Sequence, residues 1–569
     1  MSWTLKEKYR GLLSRESGCR KQAWGDRLTV CLAYPNTYRA GMSNLGFQTV
    51  YALLNSDQNF LCERTFLPDP SDEIMFVPGS SPLFSLESQK PLTEFNIIAF
   101  SVSFENDYPN ILKMLALAGI PLLTEERGQR QPLIIGGGIS ITLNPEPLCD
   151  FFDLFLLGEA EESLPEFMRR YEPLTRSGLS RKESLLQLQG DLEGAYVPAL
   201  YDVFYHDDQR IRSREAVDAV LPLRIKKRWV KDIDAFLTEQ CIAAADTELG
   251  EMHLTEVSRG CQRGCRFCAT GFVYRPARFR SERVLQASVI RGLAAQQRIG
   301  LVGTAVSDHP DLKRICQSVL NQAGKVAVGS LRLDRLDGEI LALLRRGGIE
   351  TVSLAPEAGS QRLRDVIRKG FDEQQIFNAV SALLDHGIFN IRLYFMVGLP
   401  TETDADIDEL IRLVEAIKGQ AFGRAAVKRP FRRITLSVNQ FIPKAVTPFQ
   451  WCPLASIQSA QKKIRQIEKA FRRDPAVNVI HDVPKWNYIQ ALLSLGDRRV
   501  GRILRAVHQE GGNWSRALKV SAPHPDFYVY RQKDPAEILP WDFIDHGVSR
   551  DFLLEEYQKA LSPQGKQGE

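Results

Sequence analysis

Short apolar runs, each ended by small or polar residues and followed by an amphipathic segment, recur along this chain, and that alternation leaves few folds open. Strand-length runs interleaved with helix-length ones build parallel sheets covered by helices. In the first part the runs are Leu28 to Tyr34, Ile97 to Val102, Leu133 to Ile135 and Phe151 to Leu157. They lead into Pro35-Asn36, Ser101 and Ser103, Gly136-Gly137-Gly138, and Gly158-Glu159 respectively. Ser43 is read as the cap of the helix after the first strand, with Leu45, Val50 and Leu53 as its apolar positions. A second series begins near Met252, with strands at Leu254 to Val257, Ile299 to Thr304, Val326 to Ser330, Thr351 to Ala355, Ile391 to Val397 and Ile434 to Asn439.

The fold class is therefore α/β: an N-terminal open parallel sheet, then a partial or complete β/α barrel, then a small helix-rich C-terminal region. At 569 residues the chain exceeds what one core organises. Residues 1–170 form the first domain, 171–245 a connector, 246–455 the barrel and 456–569 the helical region. Within the connector, Leu200 to Tyr205 reads as a strand ended by the turn His206-Asp207-Asp208. A basic amphipathic helix spans Ser456 to Lys469 with Ile464 and Ile467 on its apolar stripe, and 563–569 read as a frayed tail.

Right after the first strand of the second series comes Cys261-Gln262-Arg263-Gly264-Cys265-Arg266-Phe267-Cys268. With 10 Cys in the chain, this spacing is expected by chance in well under about one such chain in a hundred. Three thiolates hold a [4Fe-4S] cube and leave one iron open to bind a second molecule, whereas structural zinc wants four protein ligands. His253 is the one candidate for a fourth. Cys19, Cys31, Cys62, Cys149, Cys241, Cys316 and Cys452 stand singly and read mostly as small core residues. A cluster in this loop lies at the carboxyl mouth of the barrel, where barrel chemistry is placed.

The triple glycine permits close backbone approach to a ligand, or simply a tight turn; it is not a nucleotide fingerprint. The balance of 73 basic and 69 acidic residues neither requires nor excludes a nucleic-acid partner. Lys226-Lys227-Arg228 and Lys462, Lys463 and Arg465 suit an anionic metabolite or a solvated face. With no RNA-binding module in view, a small-molecule or lipid-like substrate ranks ahead of RNA or protein. A start without a basic-then-apolar signal, no apolar run of membrane-spanning length and dispersed cysteines predict a cytoplasmic protein.

On five segments the chain resembles the radical S-adenosylmethionine (SAM) superfamily, in the branch with an N-terminal cobalamin-binding domain. They are PNTYRAGMSNLG, the GGG and NPEP region at 136 to 147, VSRGCQRGCRFCATGFVYRP, SLAPEAGS at 353 to 360, and NQFIPKAVTPFQW at 439 to 451. The resemblance implies that Cys261, Cys265 and Cys268 hold a [4Fe-4S] cluster whose open iron chelates SAM, and that reductive cleavage yields a 5′-deoxyadenosyl radical. Phe267 takes the aromatic position near adenine, or supports the loop. Gly303 and Thr304, with Ala305, stand where the family meets the methionine amino group, although the commoner Gly-Gly-Glu is absent. Asp308 and His309 bind substrate or cap the next helix. Glu357 contacts the ribose or methionine end, or charges the start of the helix near Ser360. Gly398 approaches adenine, Thr401 caps the next helix, and Asn439 and Lys444 face substrate.

In the N-terminal domain the resemblance implies cobalamin, with Ser101, Ser103 and Gly136, Gly137 and Gly138 lining the groove for its nucleotide tail and Tyr38 and Asn44 near the lower corrin face. The D-x-H-x-x-G motif is missing between Tyr34 and Gly41, and no histidine precedes His206. Cobalamin then binds without a protein imidazole, or the domain has lost it. The leading reading is methyl transfer to an unactivated carbon, with a flavodoxin or ferredoxin as electron donor. The alternatives are radical rearrangement, cyclisation or sulfur insertion, and a non-catalytic cobalamin sensor or scaffold.

Overall fold

Burial on both faces explains the first sheet. The computed structural model describes residues 3–19, 22–244, 246–329, 331–422, 431–519 and 521–562; Ser330 and the tail 563–569 lie outside the described residues. Every residue of β1 (Leu28–Tyr34) and β2 (Phe60–Phe66) is buried, as expected of strands covered by helices on both sides. With β3 (Ile97–Ser101), β4 (Leu133–Gly137), β5 (Leu154–Leu156) and β6 (Ala195–Tyr196) the order is β2-β1-β3-β4-β5-β6. All neighbours are parallel except β5 and β6. This doubly wound order puts a topological switch point between β1 and β3, so the crevice of the sheet opens where Asn36 and Ser103 lie.

The sequence reading missed β2, because Glu63-Arg64 interrupts its apolar run. Arg64 Nε pairs with Glu87 Oε1 at 2.7 Å and Nη2 with Glu16 Oε2 at 2.6 Å, so the buried guanidinium is neutralised in place. The helix after β1, Leu45–Leu54, is capped by Asn44, which accepts from Phe47 N–H at 2.9 Å. The Ser43 hydroxyl instead donates to Arg39 O at 2.8 Å, closing the short preceding helix Tyr38–Met42. Starting the helix there turns Phe47, Tyr51 and Leu54 inward, rather than Leu45, Val50 and Leu53. The connector strand is present as a hairpin, Tyr201–Tyr205 pairing antiparallel with Ile211–Ala216.

The chain forms two compact units. The first is Met1–Glu251 with Leu492–Tyr528 and Ala536–Gly547; the second is Met252–Ala491 with Val529–Pro535 and Val548–Glu569. Residues after 491 are thus shared between the units. NPEP supplies the reason on the first side: Asn144 Nδ2 donates to Ser494 O at 3.0 Å and Gly496 O at 2.8 Å, and Arg498 Nε to Glu146 Oε2 at 2.9 Å. Trp514 and Trp541 are buried within the first unit as packing residues.

In the second unit all six expected strands are present, within a residue or two of their read bounds. They are β7 (His253–Arg259), β9 (Arg298–Gly303), β10 (Lys325–Val328), β11 (Thr351–Glu357), β12 (Asn390–Val397) and β13 (Arg433–Gln440). Two more were not read: β8 (Arg278–Phe279), antiparallel to β7, and β14 (Val477–His481). The ladders form two sheets, β8-β7-β9-β10 and β11-β12-β13-β14, and no ladder joins β10 to β11 among the described residues. One hydrophobic core nonetheless runs behind both, through Leu301, Val326, Leu354, Leu393 and Leu436. Alternation along β12 puts Ile391, Leu393, Phe395 and Val397 in that core and Arg392, Tyr394 and Met396 on the opposite face. Helix Ile457–Phe471, capped by Ser456, buries Ile464 and Ile467 as its periodicity requires. No described helix is long and apolar enough to cross a membrane.

Candidate active site

The cysteine loop leaves β7 at Gly260, whose φ of +79° and close approach to Tyr274 O leave no room for a side chain. Arg263 N–H points at Cys261 Sγ at 3.4 Å, Cys268 N–H donates to Cys265 O at 3.1 Å, and Gly271 N–H to Cys268 O at 3.1 Å before helix Thr270–Val273 begins. Burial pushes the Cys265 thiol up to about 11, with Lys369 pulling the other way. Cys268 is raised too, by burial, against the Gly271 backbone N–H. His253 is remote from this chemistry, buried in β7 against Ser288 and Gly292.

Among the described residues no three His, Cys, Asp or Glu side chains already converge as a closed metal cage. The donor set still fits an iron–sulfur cluster. It offers three soft thiols on one short loop, all partly accessible, with Lys369 opposing in part the burial that raises Cys265.

Lys369 is the site residue that sequence reading missed, since nothing in Arg368-Lys369-Gly370 marks it out. Its ammonium lies 3.1 Å from Glu357 Oε1 and 5.8 Å from the Phe267 ring centroid. Glu357 itself sits at φ +66°, a conformation that costs a non-glycine residue of order 1 kcal/mol. The strained residue stands at the end of β11, with its carboxylate held by the Lys369 ion pair.

Arg263 is held by Asp308 through Nε at 3.2 Å and Nη2 at 3.0 Å, with Asp334 at 3.5 Å. Asp308 therefore answers the cysteine loop. His309 is structural: Nδ1 accepts from Asp311 N–H at 3.1 Å and Nε2 donates to Arg280 O at 2.8 Å. Gly303 pairs with Ser258, and a Cβ there would lie 2.5 Å from Ser258 Oγ, so glycine lets the two strands approach; Thr304 follows at the strand end. Gly398, at φ +80°, donates its N–H to Glu402 Oε1 at 2.8 Å, and that carboxylate also receives buried Lys463. Thr401 does not cap the next helix; its hydroxyl accepts from Arg362 at 3.0 Å, and Asp406 receives the Thr403 N–H at 2.8 Å instead. Asn439 stands beside Met396 at the end of β13. The basic run at 226 to 228 is spent locally: Lys226 pairs with Glu193 at 2.9 Å, and Arg228 with Glu162 and Glu166 at 3.3 Å.

At the switch point of the first unit the groups answer one another. Asn44 Nδ2 lies 3.2 Å from Ser103 Oγ and 3.4 Å from the Tyr34 hydroxyl. Asn36 Nδ2 donates to Asp107 Oδ1 at 2.9 Å, and burial raises Asp107 to about 7. Ser101 ends β3, half-buried. Tyr38 donates its hydroxyl to Glu16 at 2.7 Å and packs on Phe66. Gly136 meets Phe152 and Phe155 where a Cβ would stand, and Gly138, at φ +117°, lies against Val102 O. Gly137 between them is the least crowded of the three.

One unit carries a doubly wound sheet with a switch-point crevice and the other a β/α sheet whose first strand leads into three thiols, the two parts expected of a radical enzyme. The chain belongs to the radical SAM superfamily: residues 255–414 match the family described as Radical SAM superfamily, and 46–198 the one described as Radical SAM proteins, N-terminal. An uncharacterized protein of Methanocaldococcus jannaschii, MJ0966, is 28% identical over 84% of this chain and 90% of its own length. The anaerobic magnesium-protoporphyrin IX monomethyl ester cyclase of Rubrivivax gelatinosus is 28% identical, over 27% of this chain and 29% of its own. The ribosomal protein uS12 methylthiotransferase RimO of Leptospira biflexa is 25% identical, over 48% and 57%. Of these last two, the chain thus spans less than two thirds. Among solved structures, the cobalamin-dependent SAM radical enzyme OxsB with aqua-cobalamin bound superposes with a TM-score of 0.47 at 15% identity, covering 88% of this chain and 70% of that one.

Proposed function

We propose that this enzyme cleaves SAM at the Cys261, Cys265 and Cys268 loop and uses the resulting radical to cyclise or rearrange a substrate held at the mouth of the second unit. The observation that carries the reading is the cysteine triplet at the end of β7, faced by the Glu357–Lys369 pair. A [4Fe-4S] cluster bound there would supply one electron to the sulfonium and an open iron for the methionine end. The chain's own work is then positional. Lys369 and Glu357 present opposite charges to the zwitterionic end of SAM, Phe267 offers a ring face, and Gly398 lets the backbone come close to the purine.

Cyclisation or rearrangement stands first because the named relatives include a cyclase. Sulfur insertion, suggested by the methylthiotransferase, calls for a second grouped cysteine set, and the other seven cysteines stand singly. Methyl transfer, the leading expectation from the sequence alone, is the second reading. It is favoured by the switch-point crevice between β1 and β3, which suits a bulky cofactor such as cobalamin approached by Ser101, Ser103 and Gly137.

Anaerobic reconstitution of the native protein and of a Cys261, Cys265 and Cys268 triple alanine variant decides the first step. Iron, sulfide and 5′-deoxyadenosine are expected from the native chain alone; zinc without cleavage would overturn it. Incubation with methyl-labelled SAM and fractionated extract decides the second. An altered but unlabelled product supports cyclisation or rearrangement, and label in a product moves methyl transfer to first place.

A further inference from the structure

Three stretches far apart in the sequence meet at one carboxylate. Glu556 lies in helix Arg550–Leu561, and its Oε2 accepts from Arg266 Nε at 3.1 Å across 290 residues. The same oxygen lies 3.0 Å from Arg368 Nη1. Arg266 stands between two of the cysteines, and Arg368 immediately precedes Lys369. Lys559, one turn along the helix and exposed, is a further cation near Glu556, at 3.6 Å.

The rest of Arg266 is committed in the same direction. Its Nη1 donates to Asp365 O at 3.1 Å and Val366 O at 2.9 Å, and its backbone N–H to Ile367 O at 3.0 Å. These are carbonyls at the end of helix Gln361–Val366, where a cation is favoured by the helix dipole. Arg368 also lies against Gly264, 3.0 Å from where a Cβ would stand. Below the carboxylate, Phe552 of the same helix meets Phe272, and Arg275 lies over both rings. Without Glu556, buried Arg266 would lose its carboxylate and face half-exposed Arg368, a repulsion that weakens the packing of the cysteine loop on the Lys369 segment.

Resting on the radical SAM reading, we propose that Glu556 is a positioning residue: the C-terminal helix clamps the cysteine loop onto the Lys369 segment and so fixes where SAM sits relative to the cluster. The test compares the native chain with Glu556→Gln and Arg368→Gln, both before and after reconstitution. In apo-protein, alkylation of Cys265 and Cys268 by iodoacetamide, followed by peptide mass spectrometry, is expected to quicken about fivefold in Glu556→Gln as the loop opens locally. After reconstitution the variant should hold native iron yet bind SAM about tenfold more weakly. The SAM-induced change in the electron paramagnetic resonance of its reduced cluster should also be reduced.

Native alkylation rates together with a native SAM-induced spectrum in Glu556→Gln would overturn the clamp. Should Glu556→Gln fail to fold by circular dichroism, Arg368→Gln, which removes the more exposed partner, must show the same changes in smaller measure or the proposal falls. A native protein whose cluster spectrum ignores SAM would defeat the functional reading, while apo-protein alkylation would still decide the clamp.

Discussion

Both units end their strands in loops built for a ligand, but they equip those loops in opposite ways. In the first unit Asn36, Asn44, Ser103 and Tyr34 are neutral, and Asp107, raised to about 7 by burial, is only partly ionised near neutral pH. In the second, Arg263, Asp308, Asp334, Glu357, Lys369, Arg266, Arg368 and Glu556 crowd around three thiols. Neutral donors and acceptors can hold a large uncharged surface at a smaller desolvation cost than charges would. Converging charges suit a small zwitterion and a redox centre, because their field is strong only where water is partly excluded. Under the proposed function, similar strand-end geometry would serve binding in one unit and chemistry in the other.

That contrast is broken most strongly by attacking the first unit from the far end of the chain. Arg498→Ala leaves the Glu146 carboxylate buried without its partner, which should cost about 3 to 5 kcal/mol in urea-induced unfolding of the first unit. Iron bound by the second unit should stay unchanged; a loss below 1 kcal/mol would mean that NPEP is not a latch. Next in size is a pH effect at the switch point. Burial raises Asp107 above its unfolded value of 3.8, so its contribution to stability is complete below that value and is lost as pH rises through about 7. Asp107→Asn should remove a fall in stability of roughly 3 to 4 kcal/mol between pH 4 and 8, read as the difference between native and variant unfolding curves. Parallel curves would show that the carboxyl is not held in the protonated form.

The smallest effect belongs to the charged site. Lys369→Met removes the cation that holds Glu357 in its strained conformation, and the Michaelis constant for SAM should rise about tenfold with little change in thermal stability. A lowered unfolding temperature with unchanged SAM dependence would make Lys369 a structural residue and weaken the division between the units.

Local pattern carried much of this. Six strands of the second unit, the hairpin after Tyr201 and the stripe of helix Ile457–Phe471 follow from periodicity, since a buried face writes its period into the side chains. The cysteine loop stood out because its three cysteines lie within eight residues, and Glu357 because a short motif surrounds it. What stayed hidden depends on partners far along the chain. A strand carrying Glu63-Arg64 does not look like a buried strand until Glu16 and Glu87 are seen to neutralise it. Lys369 has no signature until Glu357 meets it, and Glu556, 290 residues from Arg266, has none at all. Likewise, only the fold could return residues 492–528 to the first unit, through hydrogen bonds from Asn144 to two backbone carbonyls. Sequence by itself determined the elements and the spacing of the three cysteines, because hydrophobic period and residue spacing are short-range properties. Tertiary structure decided which charges are paired, and so which are held for chemistry, because a charge's energy is set by neighbours in space rather than along the chain.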